Sequence, residues 1–188
     1  MGSTLCSPYY GQTEGRAQRT SKEKPGRRWK TDETYLKVGK KHVYLYRAID
    51  EYGNLVEVWL SATRDLAAEA FFRQAVETTG RKPTQVTSDK HSSYPKAIRK
   101  ILDRTIEHRT SKYLNNPTEA DHRGIKARYK PMLGFKRFES ASRFCSVYDE
   151  VRNYLRYWEF RNDKGSLSEQ RSLFRQRFAY IQHLLKTA

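Results

Sequence analysis

The sequence predicts a mixed α/β fold, with a sheet that opens in three antiparallel strands and carries helices on its faces. Three observations lead there. Three segments between Trp29 and Leu60 alternate apolar and polar residues with period two, separated by Gly-containing turns. Beyond Asp65 the apolar spacing switches to that of a helix. Short strand-like and helical segments then alternate to the end of the chain, which is the order of a sheet covered by helices.

The elements follow in turn. Residues 1–28 read as a polar, disordered leader, rich in Gly, Ser, Thr and Gln and ending in the basic cluster Ser21-Lys-Glu-Lys-Pro-Gly-Arg-Arg28. In the first strand Thr34, Leu36 and Val38 alternate with Glu33, Tyr35 and Lys37. After a turn at Gly39-Lys40, Val43, Leu45 and Ile49 alternate with Tyr44, Tyr46 and Ala48. The turn Glu51-Tyr-Gly-Asn54 leads into a third strand, Leu55 to Leu60. Asp65 is placed to cap a helix through Leu66, Ala70, Phe71 and Gln74 to about Thr79, ended by Gly80 and Pro83. Gln85-Val-Thr-Ser88 is a short strand that stops at Asp89. A helix over Tyr94 to Leu102 and a strand over Thr105 to His108 come next.

Lys112-Tyr-Leu-Asn-Asn-Pro117 has turn chemistry, and a helix is expected from Glu119 to about Tyr129. The loop Pro131-Met-Leu-Gly-Phe135 precedes a longer helix with the apolar stripe Phe144, Tyr148, Val151, Leu155 and Trp158. After Asn162-Asp-Lys-Gly165 a last helix carries Phe174, Phe178, Ile181 and Leu185. The expected organisation is a leader over 1–28, one domain over 29–162 and a C-terminal helix over 163–188.

Charge narrows the function. The chain has 188 residues, 37 Lys+Arg against 21 Asp+Glu, and a net charge of +16. A surplus of that size calls for a polyanion, either nucleic acid or an anionic membrane surface. No apolar run is long enough to cross a bilayer, and the first residues lack a signal-peptide core, so nucleic acid is the expected partner and a membrane is not. Only Cys6 and Cys145 occur, neither spaced for zinc or for a disulfide framework, which fits a reducing, intracellular setting. Cys145 sits in a helical apolar pattern and reads as a small core residue.

Three carboxylates stand where a mixed sheet could gather them: Asp32 within the first strand, Asp89 at the carboxyl end of the fourth, and Glu119 at the opening of a helix. Hard divalent cations need several carboxylates in one small volume. Spacing alone leaves each of them open to a bland role as a surface charge or a cap. Glu119, His122, Arg123 and Lys126 fall at i, i+3, i+4 and i+7, which places them on one helix face. That face joins a carboxylate to three groups able to meet phosphate; the plain alternative is a solvated helix face. Lys90 and His91 flank Asp89 and could touch phosphate or simply face water. Asp50 and Glu33 are expected to be turn or surface residues, and Asp121 structural.

Several blocks carry a family resemblance. Trp29-Lys-Thr-Asp-Glu-Thr-Tyr-Leu-Lys-Val38, His42 to Asp50, Ser88-Asp-Lys-His-Ser-Ser-Tyr-Pro-Lys-Ala97, Lys112 to Asn116, Glu119-Ala-Asp-His-Arg123 and Pro131-Met-Leu-Gly-Phe-Lys136 closely resemble, in the same order, the insertion-sequence transposases of family six. The resemblance runs from about Trp29 to about Val151. It implies a ribonuclease H-like fold and an Asp-Asp-Glu catalytic site holding two Mg²⁺ or Mn²⁺ ions. On it, the catalytic and metal-binding triad falls on Asp32, Asp89 and Glu119, with Asp32 bridging. Lys126, seven residues after Glu119, matches the basic residue near the DNA, and Arg123, His122 and Lys90 are further candidate DNA contacts. The activity implied is DNA strand cleavage and transfer in insertion-sequence movement, on element ends and target, by a self-assembling cytoplasmic protein of bacteria or archaea.

Two departures accompany it. Such enzymes carry a helix-turn-helix region ahead of the catalytic part, and here only the polar leader precedes Trp29. The connector from Asp89 to Glu119 is also a few residues shorter than the pattern. The same residues would serve another ribonuclease H-like nuclease or integrase, and a DNA-binding remnant without catalysis is the rival from a different class.

Overall fold

A computed structural model of the chain describes residues 26–64, 66–89, 93–110, 116–157 and 165–187, and within 116–121 the backbone alone. The elements are β1 (Arg28–Val38), β2 (Lys41–Ile49), β3 (Leu55–Ser61), α1 (Ala67–Thr79), β4 (Gln85–Ser88), α2 (Ser93–Ala97), β5 (Glu107–Thr110), α3 (Asn116–Tyr129), α4 (Phe138–Leu155) and α5 (Leu167–Thr187). The helix of α2 continues as a π-helical turn over Ile98–Leu102.

The five strands form one sheet in the order β3-β2-β1-β4-β5. β1, β2 and β3 pair antiparallel, and β4 and β5 add in parallel. A three-stranded meander that then turns to parallel strands is the ribonuclease H-like arrangement. Period two splits the sheet into two faces. On one, Trp29, Tyr46, Ala48, Val56 and Val86 pack with α1 and α2, whose Phe71, Phe72 and Tyr94 are fully buried. On the other, Leu36, Val38, Val43, Leu45 and Val58 pack with Ile125 of α3 and with Ala141 and Cys145 of α4. Asp32 belongs to this second face by alternation with Leu36.

The chain is tied down earlier than the leader expectation allowed. The Gly26 amide donates to Asp50 Oδ2 at 2.9 Å and the Arg28 amide to Glu51 at 3.0 Å. Asp50 is 1% exposed and also accepts from the amides of Tyr52 and Asn54. It is a turn residue as expected, and a buried one. Glu33, expected at a turn or the surface, instead pairs with Arg64 at 2.7 Å, its own side chain 8% exposed.

Other boundaries moved for local reasons. α1 starts at Ala67 behind Leu66 at φ 58° with no side-chain cap; Asp65 lies outside the described residues. β5 runs over Glu107–Thr110, two residues later than expected, because its register is set by β4. α3 starts at Asn116, with Pro117 in its first turn, where the missing amide proton costs nothing.

The stripe on α4 is rotated from the expected one. Its buried residues are Ala141, Cys145 and Asp149 at i, i+4 and i+8. Phe144 and Tyr148 pack at the margin, Val151 is 38% exposed, and Trp158 lies outside the described residues. Small side chains at 141 and 145 let the helix approach the sheet closely, and Asp149 goes inside because Arg47 of β2 meets it at 2.5 Å. α5 buries none of its residues; Phe174 and Phe178 stack on each other at 5.9 Å while staying 47% and 43% exposed.

Candidate active site

Asp32 sits in the middle of β1, across the antiparallel pair from Arg47. β1 and β4 run in parallel register through Arg28↔Gln85, Trp29↔Val86 and Lys30↔Thr87. Continued past Lys30, the same register sets Asp32 beside Asp89, the residue that follows β4. Neighbouring strands lie roughly 4.8 Å apart, and residues in register share a face. On that register the two aspartates would leave the sheet side by side. Thr31 strengthens that junction, its hydroxyl donating to the Thr87 carbonyl at 3.4 Å.

Buried Tyr94 of α2 reports the same neighbourhood. Desolvation raises its phenol well above the ordinary value of 10.0, and the charges of Asp32 and then Asp89 push it further. Both carboxylates thus bear on one buried hydroxyl, which stays neutral. Sequence reasoning passed over Tyr94 because an aromatic at a helix start reads only as core.

On the other side, α3 lies over β1 and β2. Glu119 stands in its first turn; its side chain is not among those described. The expected single face of α3 divides. His122 turns inward, 5% exposed, with Nε2 at 3.4 Å from Asp32 Oδ2. Arg123 faces solvent. Lys126 places Nζ 5.3 Å above the ring of Tyr35. Consecutive residues on a helix diverge by about 100°, so His122 and Arg123 cannot both face the sheet once Ile125 is anchored in the core. His122 is in this way withdrawn from the surface where a backbone phosphate would lie. Lys90 and His91 lie outside the described residues, as does the side chain of Asp121.

The supports of the site are rigid. Ser88 is fully buried and its Oγ lies 2.8 Å from His108 Nε2 on β5. Burial and the charge of Arg99 lower the His108 pKa below 6.5. α3 is held at its far end by the Tyr129 hydroxyl, which accepts from the Lys37 amide at 3.2 Å, and by Phe135 stacked on Tyr129 at 5.6 Å. Gly134 turns the loop at φ 82° with the Tyr129 ring so close that a Cβ would sit 3.3 Å from it. Cys145 is a core residue as expected, 1% exposed, with its thiol pushed up to about 12 by burial.

Among the described residues no three His, Cys, Asp or Glu side chains gather as a metal cluster; Asp32 and His122 are a pair. The donor chemistry still suits a divalent cation. Asp32 on β1 and Asp89 after β4 lie on neighbouring strands, and Glu119 stands in the first turn of α3, the helix that packs over β1. His122 has no hydrogen-bond partner for either ring nitrogen among the described residues.

The sheet order is that of the ribonuclease H-like class, to which Asp-Asp-Glu domains belong. The chain belongs to that family: residues 26–157 match the DDE domain of IS240-type transposases. It is 42% identical over 106 residues to the transposase for insertion sequence-like element IS431mec of Staphylococcus aureus, covering 54% of this chain and 47% of that protein. An uncharacterized protein of Methanocaldococcus jannaschii is 30% identical over 132 residues, covering 69% and 59%. The HTLV-2 integrase catalytic core domain in complex with magnesium aligns at 20% identity over 59% of this chain and 74% of its own, with a TM-score of 0.45. The chain spans about half the length of the staphylococcal transposases it matches.

Proposed function

We propose that this chain is the catalytic domain of a DNA transposase, cutting and joining DNA strands during movement of an insertion sequence. What supports this reading is the parallel register of β1 and β4, which, continued past Lys30 and Thr87, would set Asp32 beside Asp89. Asp32, Asp89 and Glu119 would hold the metal, two ions of Mg²⁺ or Mn²⁺. Bound there, such ions supply Lewis-acid stabilisation of phosphoryl oxygens and an activated water or 3′-hydroxyl.

The chain's own groups do the rest. Strand hydrogen bonds fix the backbones of Asp32 and of Ser88, the residue before Asp89, which would aim the carboxylates before substrate arrives. Tyr94, held neutral, adds no further negative charge beneath them. Arg123 on the open side of α3, Lys126 and Lys90 would hold the DNA backbone and offset its charge. The domain would extend over 29–162. The partners would be element ends and target DNA in a cytoplasmic, nucleoid-associated setting. The uncovered apolar face of α5 supports self-assembly on that DNA.

Strand joining on pre-cut element ends, run beside a DNA-binding titration, tests the reading. Glu119→Gln keeps size and hydrogen bonding but removes the charge that a hard cation requires. Joining should collapse in this variant while binding holds or tightens slightly. Joining by Glu119→Gln at the unmutated rate overturns the mechanism, and no joining by the unmutated chain with pre-cut ends and metal identifies a binding remnant.

A further inference from the structure

We infer that His122 is a nitrogen ligand of the metal held at Asp32, which makes the site favour Mn²⁺ over Mg²⁺ more than carboxylates alone would. The inference rests on the metal-site reading proposed above.

Its basis is a buried imidazole set against a carboxylate. His122 is 5% exposed, and neither ring nitrogen has a hydrogen-bond partner among the described residues. A buried polar group left without a partner costs about 1–3 kcal/mol, so a fold retains one where something absent completes it. The nearest charged group is Asp32 Oδ2, 3.4 Å from Nε2. That is too long for a good hydrogen bond and short enough for both atoms to share a cation. A phosphate contact is closed to this side chain by its burial.

Spacing points the same way. Glu119 and His122 stand at i and i+3 on α3, and a helical Glu-x-x-His pair is an arrangement that directs both side chains to one metal. α3 packs over β1, where Asp32 Oδ2 lies 3.4 Å from His122 Nε2. Mn²⁺, like Mg²⁺, is at home among oxygen ligands, but as a first-row transition ion it accepts an imidazole nitrogen more readily than Mg²⁺, which holds to oxygen in a strict octahedron. The preference for Mn²⁺ follows from the nitrogen.

Electron spin-echo modulation of Mn²⁺ bound to the whole chain reads this without any catalytic step. The unmutated protein should show ¹⁴N modulation from a directly bound imidazole, replaced by the ¹⁵N pattern when its histidines carry ¹⁵N. The chain has five histidines, and His122→Gln assigns the signal: the modulation should vanish. Mn²⁺ binding should weaken at least about tenfold, with Mg²⁺ binding changed less. The isotope experiment uses the unmutated chain, so it stands even if His122→Gln fails to fold. Asp32→Asn is the second arm. If Mn²⁺ binding survives in Asp32→Asn, the metal-site reading itself falls. If binding needs Asp32 but no histidine modulation is seen, that reading stands and the assignment of His122 is overturned.

Discussion

Ser88 has one hydroxyl proton and two neighbours that could take it. Its Oγ lies 2.9 Å from the Asp89 carbonyl, which can only accept, and 2.8 Å from His108 Nε2. The proton therefore goes to the carbonyl, and His108 donates from Nε2 to Ser88. Neutral imidazole satisfies this with no charge in a half-buried site next to Arg99. Because the folded pKa is lowered, the unfolded chain binds the proton more readily. Stability from this residue is intact above pH 6.5 and falls as pH drops below it, toward the lowered folded value. Replacing His108 with Gln should flatten that part of the profile. Urea unfolding on both sides of pH 6.5 checks it, and an unchanged slope in His108→Gln would refute the assignment. None of this could be read from Thr105 to His108 as a sequence: the segment signals only a short strand, and its partner lies twenty residues away.

Between elements, the informative contact joins β2 to α4. Arg47 and Asp149 are 2% and 0% exposed and meet at 2.5 Å. Burying both charges brings a large desolvation cost, so the pair adds little net stability, yet removing one partner strands the other. Asp149→Ala should lower the unfolding free energy by about 3–5 kcal/mol. The double variant Arg47→Met with Asp149→Leu should recover most of that loss. Denaturant titration of the three variants decides; equal losses in the single and double variants would mean that the pair is not what is lost. Since α4 shares a core with Ile125 of α3, loosening it should also loosen the helix that carries Glu119 and His122. Sequence placed α4 correctly and gave it the wrong face. An apolar stripe ranks Phe, Tyr and Val as core, and nothing in it signals that an arginine on the sheet draws an aspartate inside.

Over the molecule as a whole, charge decides affinity and leaves selectivity open. A net charge of +16 should make the proposed DNA binding strong and steeply salt-dependent, and no recognition helix is evident among the described elements. Lys126 lies over exposed Tyr35, 61% accessible, so its ammonium stays available at the surface beside the site. Lys126→Ala should weaken binding modestly and reduce the salt slope by about one for one lost phosphate contact. Titrations at several salt concentrations, with a terminal inverted repeat against random duplex, measure both quantities. An unchanged slope would remove Lys126 from the DNA surface, and a preference of several orders of magnitude for one sequence would locate a reading element within this chain.

Local signals carried the strands, the helices and their order, because period two and period 3.6 are properties of neighbouring residues. Asp32, Asp89 and Glu119 stood out as candidates for the same reason, as acids inside a strand, just after one and at the opening of a helix. The family resemblance assigned them the role of a triad. What those signals could not hold was rotation and register. The parallel offset of β1 and β4, which sets Lys30 against Thr87 just ahead of the two aspartates, depends on a pairing across more than fifty residues. The turn of α3 that sends His122 to Asp32 and leaves Arg123 in water depends on where Ile125 finds its core. A helix presents every side chain to some direction, and only the surface it packs against selects which of them become buried.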